Sequence, residues 1–129
     1  TEFYQKNNIK NNVFEFKENI LDLISFTDLA ISRCGASTMA ELSHTFTPFV
    51  AVPIPNSIGN HQYLNAKYYE KEGNCWLLEQ KNFNSKNLFK LIIDTVKDKK
   101  KLENFRNNMK KNDNKNTYNN IENIIKEIV

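Results

Sequence analysis

The chain has 129 residues, 40% of them hydrophobic and 12% aromatic, and a formal net charge of +3 at pH 7. This size allows one domain with a hydrophobic core and excludes a second full domain. The charge comes mainly from lysine, without clustered arginine, and the run Lys99–Lys101 is typical of a solvated helix start, so we expect no nucleic-acid partner. The first twelve residues carry no apolar run, so we expect no signal peptide or transmembrane segment. Because Thr1 is not an initiator methionine, we interpret the start as a cut.

Apolar runs alternate with helical stripes over the first part of the chain. Alternating, β-branched or aromatic runs predict strands, and apolar residues that recur every 3.6 residues predict helices. In chain order, the predicted elements are a strand over 13–16, a helix over 18–26, a strand over 29–32, a helix over 37–44, a strand over 49–52, a polar loop over 53–60, a helix over 61–72 and a strand over 75–78. From Ser85 onward, three apolar stripes predict helices, with a polar hinge over 112–120 before the last one.

Strands that alternate with helices over short connections predict an α/β fold with a parallel sheet covered on both faces. We place the α/β core at about 13–80 and the C-terminal helices at about 85–129. The loops that follow parallel strands share one edge of the sheet, and ligands bind at that edge. Here the edge comprises the stretch after Phe16, the turn over 34–38 and the loop over 56–62. The side chains expected near one crevice are Lys17, Ser37, Glu41, His61 and Gln62.

The segment from Asp28 to Glu41 predicts a strand that passes through a glycine turn into a helix. The start of a helix carries about half a positive charge and several unpaired N–H groups, so it suits a phosphate. Glu41 either completes a capping box with Thr38 or accepts hydrogen bonds from the vicinal hydroxyls of a ribose. Gly35 either supplies a positive φ or lets a ligand approach the backbone. Arg33 either balances phosphate charge or pairs with a nearby carboxylate.

Other kinds of chemistry lack a complete set of residues. Cys34 and Cys75 adjoin apolar strands in a chain without secretory features, so reduced, partly buried thiols are expected. An isolated histidine such as His61 at a helix start is more typical of a structural residue than of a catalyst. No Ser-His-Asp order, His and Cys cluster, close carboxylate pair or glycine-rich fingerprint is recognisable. We therefore expect no metal, no cofactor and no catalytic residue within this segment.

Three blocks of the sequence, 27–42, 48–53 and 61–66, together resemble the MurG family of bacterial glycosyltransferases in their order and spacing. The resemblance covers 13–78, and the helical tail is similar to the C-terminus of the family. It implies the C-terminal, donor-binding half of a GT-B enzyme, in which two Rossmann-like domains face each other across a cleft. The implied fold is a Rossmann-like parallel sheet with helices on both faces and a helical C-terminal tail. The chain, 1–129, would be part of the donor domain, with the acceptor domain absent.

The resemblance also implies which residues contact the donor, UDP-GlcNAc. The glycine turn and its helix would hold the diphosphate, the glutamate of that helix the ribose, main chain after Phe16 the uracil, and a His-Gln pair the GlcNAc hydroxyls. In this sequence these residues are Ala36, Ser37 and Thr38 for the diphosphate, Glu41 for the ribose, Lys17 for the uracil, and His61 with Gln62 for the sugar. Arg33 is a further phosphate candidate. Asn60 stands where many relatives carry aspartate, and Lys17 replaces an apolar residue.

The function implied is inverting transfer of GlcNAc from UDP-GlcNAc to undecaprenyl-diphosphoryl-MurNAc-pentapeptide, at the cytoplasmic face of the bacterial inner membrane, where the enzyme is peripheral. This chain would supply donor binding, and the acceptor would contact the missing domain. Two alternatives stay open at this point. The chain could be the stand-alone donor-binding subunit of a two-component GlcNAc transferase, or a non-enzymatic Rossmann-like interaction module.

Overall fold

The structure, a computed structural model, describes residues 2–112 and 124–126. Three strands and six helices are assigned in this part of the chain. They are α1 (Glu2–Lys6), α2 (Ile20–Ser25), β1 (Ala30–Ser32), α3 (Ala36–His44), β2 (Phe49–Ala51), α4 (His61–Lys71), β3 (Cys75–Leu77), α5 (Ser85–Lys97) and α6 (Lys99–Asn112). Short 3₁₀ turns precede α4 and follow β3, over Ile58–Asn60 and Gln80–Asn82.

The strands form one parallel sheet in the order β1-β2-β3. In its register, Ile31 lies opposite Val50, which lies opposite Trp76. The central strand β2 is hydrogen-bonded on both sides, and each of its three residues is buried. The predicted alternation of strands and helices around a parallel sheet is therefore confirmed for the elements from β1 to β3.

Each face of the sheet carries its own apolar cluster. Successive residues of a strand point to opposite faces, so Phe49 and Ala51 share one face and Val50 points to the other. The first cluster comprises Cys34, Met39, Leu42, Phe49, Ala51, Ala66, Cys75, Phe105 and Met109, and thus joins α3, α4 and α6 to the sheet. The second comprises Val50, Val52 and Leu78, with Leu88 and Leu91 of α5 packed against it. Helices therefore cover both faces, as predicted.

The predicted strand over 13–16 is wrong. This stretch has no regular structure, and the side chain of Phe16 is 81% exposed. A strand gains stability from hydrogen bonds to a neighbouring strand, and within the described residues the sheet begins only at β1. The helix α1 was not predicted, because its five residues are all exposed and leave no apolar stripe in the sequence.

The helices of the C-terminal part follow the prediction as far as they are described. The apolar stripes predicted after Ser85 correspond to α5 and α6, and α6 begins at Lys99 with exposed lysines, as expected. The predicted hinge over 112–120 and the last helix over 121–129 lie outside the described residues, apart from Asn112 and 124–126. No described helix is long and apolar enough to cross a membrane.

The assignment of the core leads to a test of stability. Replacing Leu42 of α3 by alanine should lower the free energy of unfolding by about 2–5 kcal/mol, because a cavity replaces a buried side chain. Leu42 is 2% exposed, whereas Leu64 of α4 is 60% exposed. The matched variant Leu64→Ala should therefore change this free energy by less than about 0.5 kcal/mol. Urea denaturation of both variants measures the difference, and equal losses would contradict the assigned core.

Candidate functional site

The carboxyl ends of the three strands lie at one edge of the sheet, because the strands are parallel. We call this the carboxyl edge and define it by the segments that follow the strands, 33–35 after β1, 52–60 after β2 and 78–82 after β3. The helices α3 and α4 begin at this edge. It is the edge at which the sequence predicted a ligand site.

The start of α3 has no capping side chain among the described residues. Its N-cap is Gly35. The first N–H of the helix with a helical partner is that of Met39, which donates to the oxygen of Gly35 at 3.0 Å. The N–H groups of the preceding helical residues, Ala36 to Thr38, are the ones that a helix leaves without an internal partner. Helix α3 therefore begins with uncapped N–H groups at the turn where the sequence predicted them.

The predicted capping box is wrong. It required Thr38 at the N-cap, but the helix begins at Ala36, so Thr38 is already its third residue. The backbone of Gly35, with φ −64° and ψ 145°, supplies the extended N-cap conformation instead. Across the described part of the chain, the carboxylate of Glu41 has no hydrogen bond or ion pair. The structure therefore gives Glu41 no capping role.

Gly35 does not have a positive φ, so that explanation of the glycine is wrong. Packing does not require it either. A Cβ placed on Gly35 would meet only the Oγ1 of Thr38 among the described residues, at 4.0 Å. Nothing within the described chain therefore demands a glycine here, and the space beside the backbone is open to a molecule from outside.

Arg33 connects the three segments of the carboxyl edge. Its Nη1 donates to the Oε1 of Gln80 at 2.7 Å and to the carbonyl oxygen of Val52 at 3.3 Å. The predicted alternative of an ion pair with a carboxylate is wrong for the part of the chain that is described. Gln80 was missed by sequence reasoning, because a contact between residues so far apart along the chain leaves no local signal.

The first turn of α4 is tied to the segment after β1. The Oε1 of Gln62 accepts hydrogen bonds from the N–H of Cys34 at 3.2 Å and from the N–H of Ile54 at 3.0 Å. One turn further, the Nδ2 of Asn65 donates to the carbonyl oxygen of Cys34 at 3.1 Å. Asn65 was also missed, although its spacing of three from Gln62 places both side chains on one face of the helix. His61 has its Nδ1 2.7 Å from the oxygen of Ile58, which agrees with a helix-start role.

Lys17 is not joined to these residues by any described hydrogen bond or ion pair. It lies in the exposed segment before α2, and its Nζ is 5.8 Å from the centre of the Phe14 ring. The structure thus brings Arg33 and Gln62 together around the turn that leads into α3.

A cavity of about 300 Å³ also opens beside α4, lined by Pro53–Asn56, Asn60, Tyr63 and Glu79–Lys81.

Both cysteines are free and buried, as predicted. Burial raises the pKa of the Cys34 thiol to about 11, although the neighbouring Arg33 guanidinium offsets part of this rise. Burial, together with the negative charge of Glu70, raises the pKa of Cys75 to about 12. Neither thiol is a nucleophile at neutral pH, because the thiolate is the reactive form.

Among the described residues, no group of three or more His, Cys, Asp or Glu side chains could hold a metal ion.

Comparison with known proteins identifies the family. The sequence pattern of the glycosyltransferase family 28 C-terminal domain matches residues 1–125. The chain belongs to this family. The fold agrees with this assignment, since a crystal structure of MurG from Acinetobacter baumannii superposes with a TM-score of 0.76 at 23% identity, over 93% of this chain and 34% of that one.

Relatives of known name share this sequence at higher identity. A "UDP-N-acetylglucosamine--N-acetylmuramyl-(pentapeptide) pyrophosphoryl-undecaprenol N-acetylglucosamine transferase" of Pelagibacter ubique (strain HTCC1062) is 40% identical over 106 residues, which is 82% of this chain and 30% of the relative. The protein of the same name from Rickettsia canadensis (strain McKiel) is 37% identical over 128 residues, 99% of this chain and 36% of the relative. The family 28 chain thus spans about a third of the length of these relatives.

The pKa values of the thiols predict their reactivity. At pH 8 a thiol with a pKa of about 11 is ionised to roughly one part in a thousand, so Cys34 and Cys75 should react only slowly with a disulfide reagent in the folded protein. Both should react rapidly once the chain is unfolded in guanidinium. The variant Ser85→Cys, with an exposed thiol, is the control and should react at once. Rapid reaction of the folded wild-type chain would contradict the assigned burial of Cys34 and Cys75.

Proposed function

We propose that this chain binds UDP-GlcNAc at its carboxyl edge and is the donor-binding part of an N-acetylglucosamine transferase of peptidoglycan synthesis. The observation that carries the proposal is the open start of α3, with the unpaired carboxylate of Glu41 one turn further along the same helix. The family membership of residues 1–125 supports it, as do the names of the relatives.

The diphosphate is proposed to bind at the first turn of α3. The N–H groups of Ala36, Ser37 and Thr38 point out of the helix start, where the helix dipole favours negative charge. Gly35 leaves the approach to this backbone open, because it carries no side chain. Arg33 lies directly before this turn and adds positive charge, although its guanidinium also donates to Gln80.

The nucleoside and the sugar are assigned to residues on either side of this turn. Glu41 accepts hydrogen bonds from the two ribose hydroxyls, for which a carboxylate has enough acceptor sites. Main chain at Lys17 contacts the uracil. His61 and Gln62, at the start of α4, contact the GlcNAc hydroxyls. Of these residues, Glu41 has the strongest structural support, since it is half-buried without a partner among the described residues.

The proposed reaction is a direct, inverting transfer. An acceptor hydroxyl attacks the anomeric carbon of GlcNAc and gives its proton to a base in the part of the enzyme that this chain does not contain. The bond from that carbon to the β-phosphate oxygen breaks, and UDP leaves with the electron pair. Negative charge then develops on the phosphate over the start of α3, whose oriented N–H groups stabilise it. Preorganised donors of this kind are worth roughly 3 kcal/mol each. No step assigned to this chain uses a metal ion.

The acceptor is proposed to be undecaprenyl-diphosphoryl-MurNAc-pentapeptide, bound by the part of the enzyme that this chain does not contain. Such an acceptor lies in a membrane, so the enzyme would work as a peripheral protein at the cytoplasmic face of the bacterial inner membrane. The chain would be one partial donor domain. By itself it should bind the donor weakly and transfer no sugar.

Replacing Glu41 by alanine tests the ribose contact. The variant should bind UDP-GlcNAc and UDP at least tenfold more weakly, about 1.4 kcal/mol in binding free energy, as measured by titration calorimetry. The free energy of unfolding should change little, because the carboxylate of Glu41 makes no hydrogen bond or ion pair within the described residues. Glu103→Ala, which removes an exposed carboxylate from α6, is the charge-matched control and should bind like the wild type.

Two outcomes would contradict the proposal in different ways. Unchanged binding of UDP-GlcNAc and UDP by Glu41→Ala would contradict the proposed ribose contact but not the proposed diphosphate site. Binding of the wild-type chain without preference for uridine nucleotides would instead favour the non-enzymatic interaction module. A stand-alone donor subunit would bind UDP-GlcNAc as well, and would transfer GlcNAc only after its separate partner is added.

A further inference from the structure

The side chain of Gln62 joins two of the three segments of the carboxyl edge. Its Oε1 accepts from the N–H of Cys34, directly before the start of α3, and from the N–H of Ile54, in the segment after β2. An amide oxygen has two lone pairs, so these two hydrogen bonds use its full acceptor capacity. The orientation of the amide is thereby fixed, because the NH₂ group cannot face two N–H donors.

The second hydrogen bond satisfies a donor that has no alternative partner within its own stretch. Ile54 stands between Pro53 and Pro55, and proline has no N–H. The N–H of Ile54 is therefore the only backbone donor of these three residues. Its pairing with Gln62 fixes the course of a stretch that cannot continue the sheet by regular hydrogen bonds.

The peptide groups of Cys34 are held from both sides by α4. Gln62 accepts from its N–H, and Asn65 donates to its carbonyl oxygen at 3.1 Å. The side chain of Cys34 is fully buried in the core below. The residue that precedes the N-cap of α3 thus cannot rotate without breaking two hydrogen bonds and disturbing the core.

From this arrangement we infer that Gln62 is a positioning residue for the diphosphate, in addition to any contact it makes with the sugar. Its oxygen fixes the turn before α3, so the N–H groups of the first helical turn already point in the direction in which the phosphates bind. Its NH₂ group makes no hydrogen bond within the described residues. This inference rests on the proposed function, because it assumes a nucleoside diphosphate at the start of α3.

The inference differs from a sugar contact in its consequence for UDP, which carries no sugar. If Gln62 only contacted GlcNAc, its removal would leave the affinity for UDP unchanged. If Gln62 positions the turn, its removal lowers the affinity for UDP. The affinity for uridine, which has no phosphate, stays unchanged. A general loss of the fold would weaken both ligands to the same extent.

The test uses the whole chain with the substitution Gln62→Met, which keeps the aliphatic part of the side chain and removes the acceptor. Titrations with UDP and with uridine, monitored by NMR, give the two affinities. We expect UDP to bind about five- to tenfold more weakly, the size of about one lost net hydrogen bond, and uridine to bind unchanged. Amide hydrogen exchange should accelerate at Cys34 and Ile54 in the ligand-free variant.

Two further variants keep the test specific. Gln5→Met makes the same substitution on the exposed helix α1 and should change neither affinity nor exchange. Gln62→Glu retains an oxygen acceptor, so it should restore slow exchange at Cys34 and Ile54, which shows the hydrogen bond even if Gln62→Met folds poorly.

The outcomes separate the inference from the proposed function. Unchanged UDP affinity in Gln62→Met, or equal weakening of UDP and uridine, would overturn the positioning role while donor binding by the wild type stands. Fast exchange at both amides in Gln62→Glu would overturn it as well. If the wild-type chain does not bind UDP, the proposed function fails, and the inference fails with it.

Discussion

The parallel pairing of β2 with β1 and β3 is the constraint on which the rest of the structure depends. Because β2 is hydrogen-bonded on both sides and buried on both faces, it fixes the direction of its neighbours and leaves only the strand ends to vary. All three strands then end at the same edge, and the segments that follow them must meet there. The contacts of Arg33, Gln62 and Asn65 are consequences of this meeting, since each joins segments that are distant along the chain.

These polar contacts divide the carboxyl edge into a fixed part and an open part. The fixed part is the backbone around Cys34 and Ile54, whose peptide groups are held by side chains of α4. The open part is the first turn of α3 and the carboxylate of Glu41, which have no described partners. A rigid frame around unsatisfied donors is the arrangement that electrostatic stabilisation of a leaving phosphate requires, because donors already in place need not reorganise as charge develops.

Periodicity and composition were sufficient for most of the fold and for the segments that meet at the carboxyl edge. The strands β1 to β3 were predicted because buried parallel strands are apolar runs, and the start of α3 because a glycine separates such a run from a helical pattern. The capping box and the strand over 13–16 failed for a common reason. A local pattern shows what a segment is able to do, whereas Gly35 as the N-cap and the missing partner of Phe16 are decided by the surrounding chain. Gln80 and Asn65 were missed because hydrogen bonds across the sheet edge depend on the tertiary fold.

Other helices in the described part of the chain do have a side chain that accepts a hydrogen bond from an N–H of their first turn. The helix α5, which follows β3, begins after Asn84, whose side chain accepts from the N–H of Asn87 at 2.9 Å. At the start of α4, the hydroxyl of Ser57 accepts from the N–H of Gln62 at 3.3 Å. Glycine at the N-cap makes no side-chain hydrogen bond and is less stabilising than a capping side chain by roughly a few tenths of a kcal/mol. The unfilled donors of α3 therefore cost some stability in the ligand-free chain, and a bound diphosphate would supply the missing acceptor and return it.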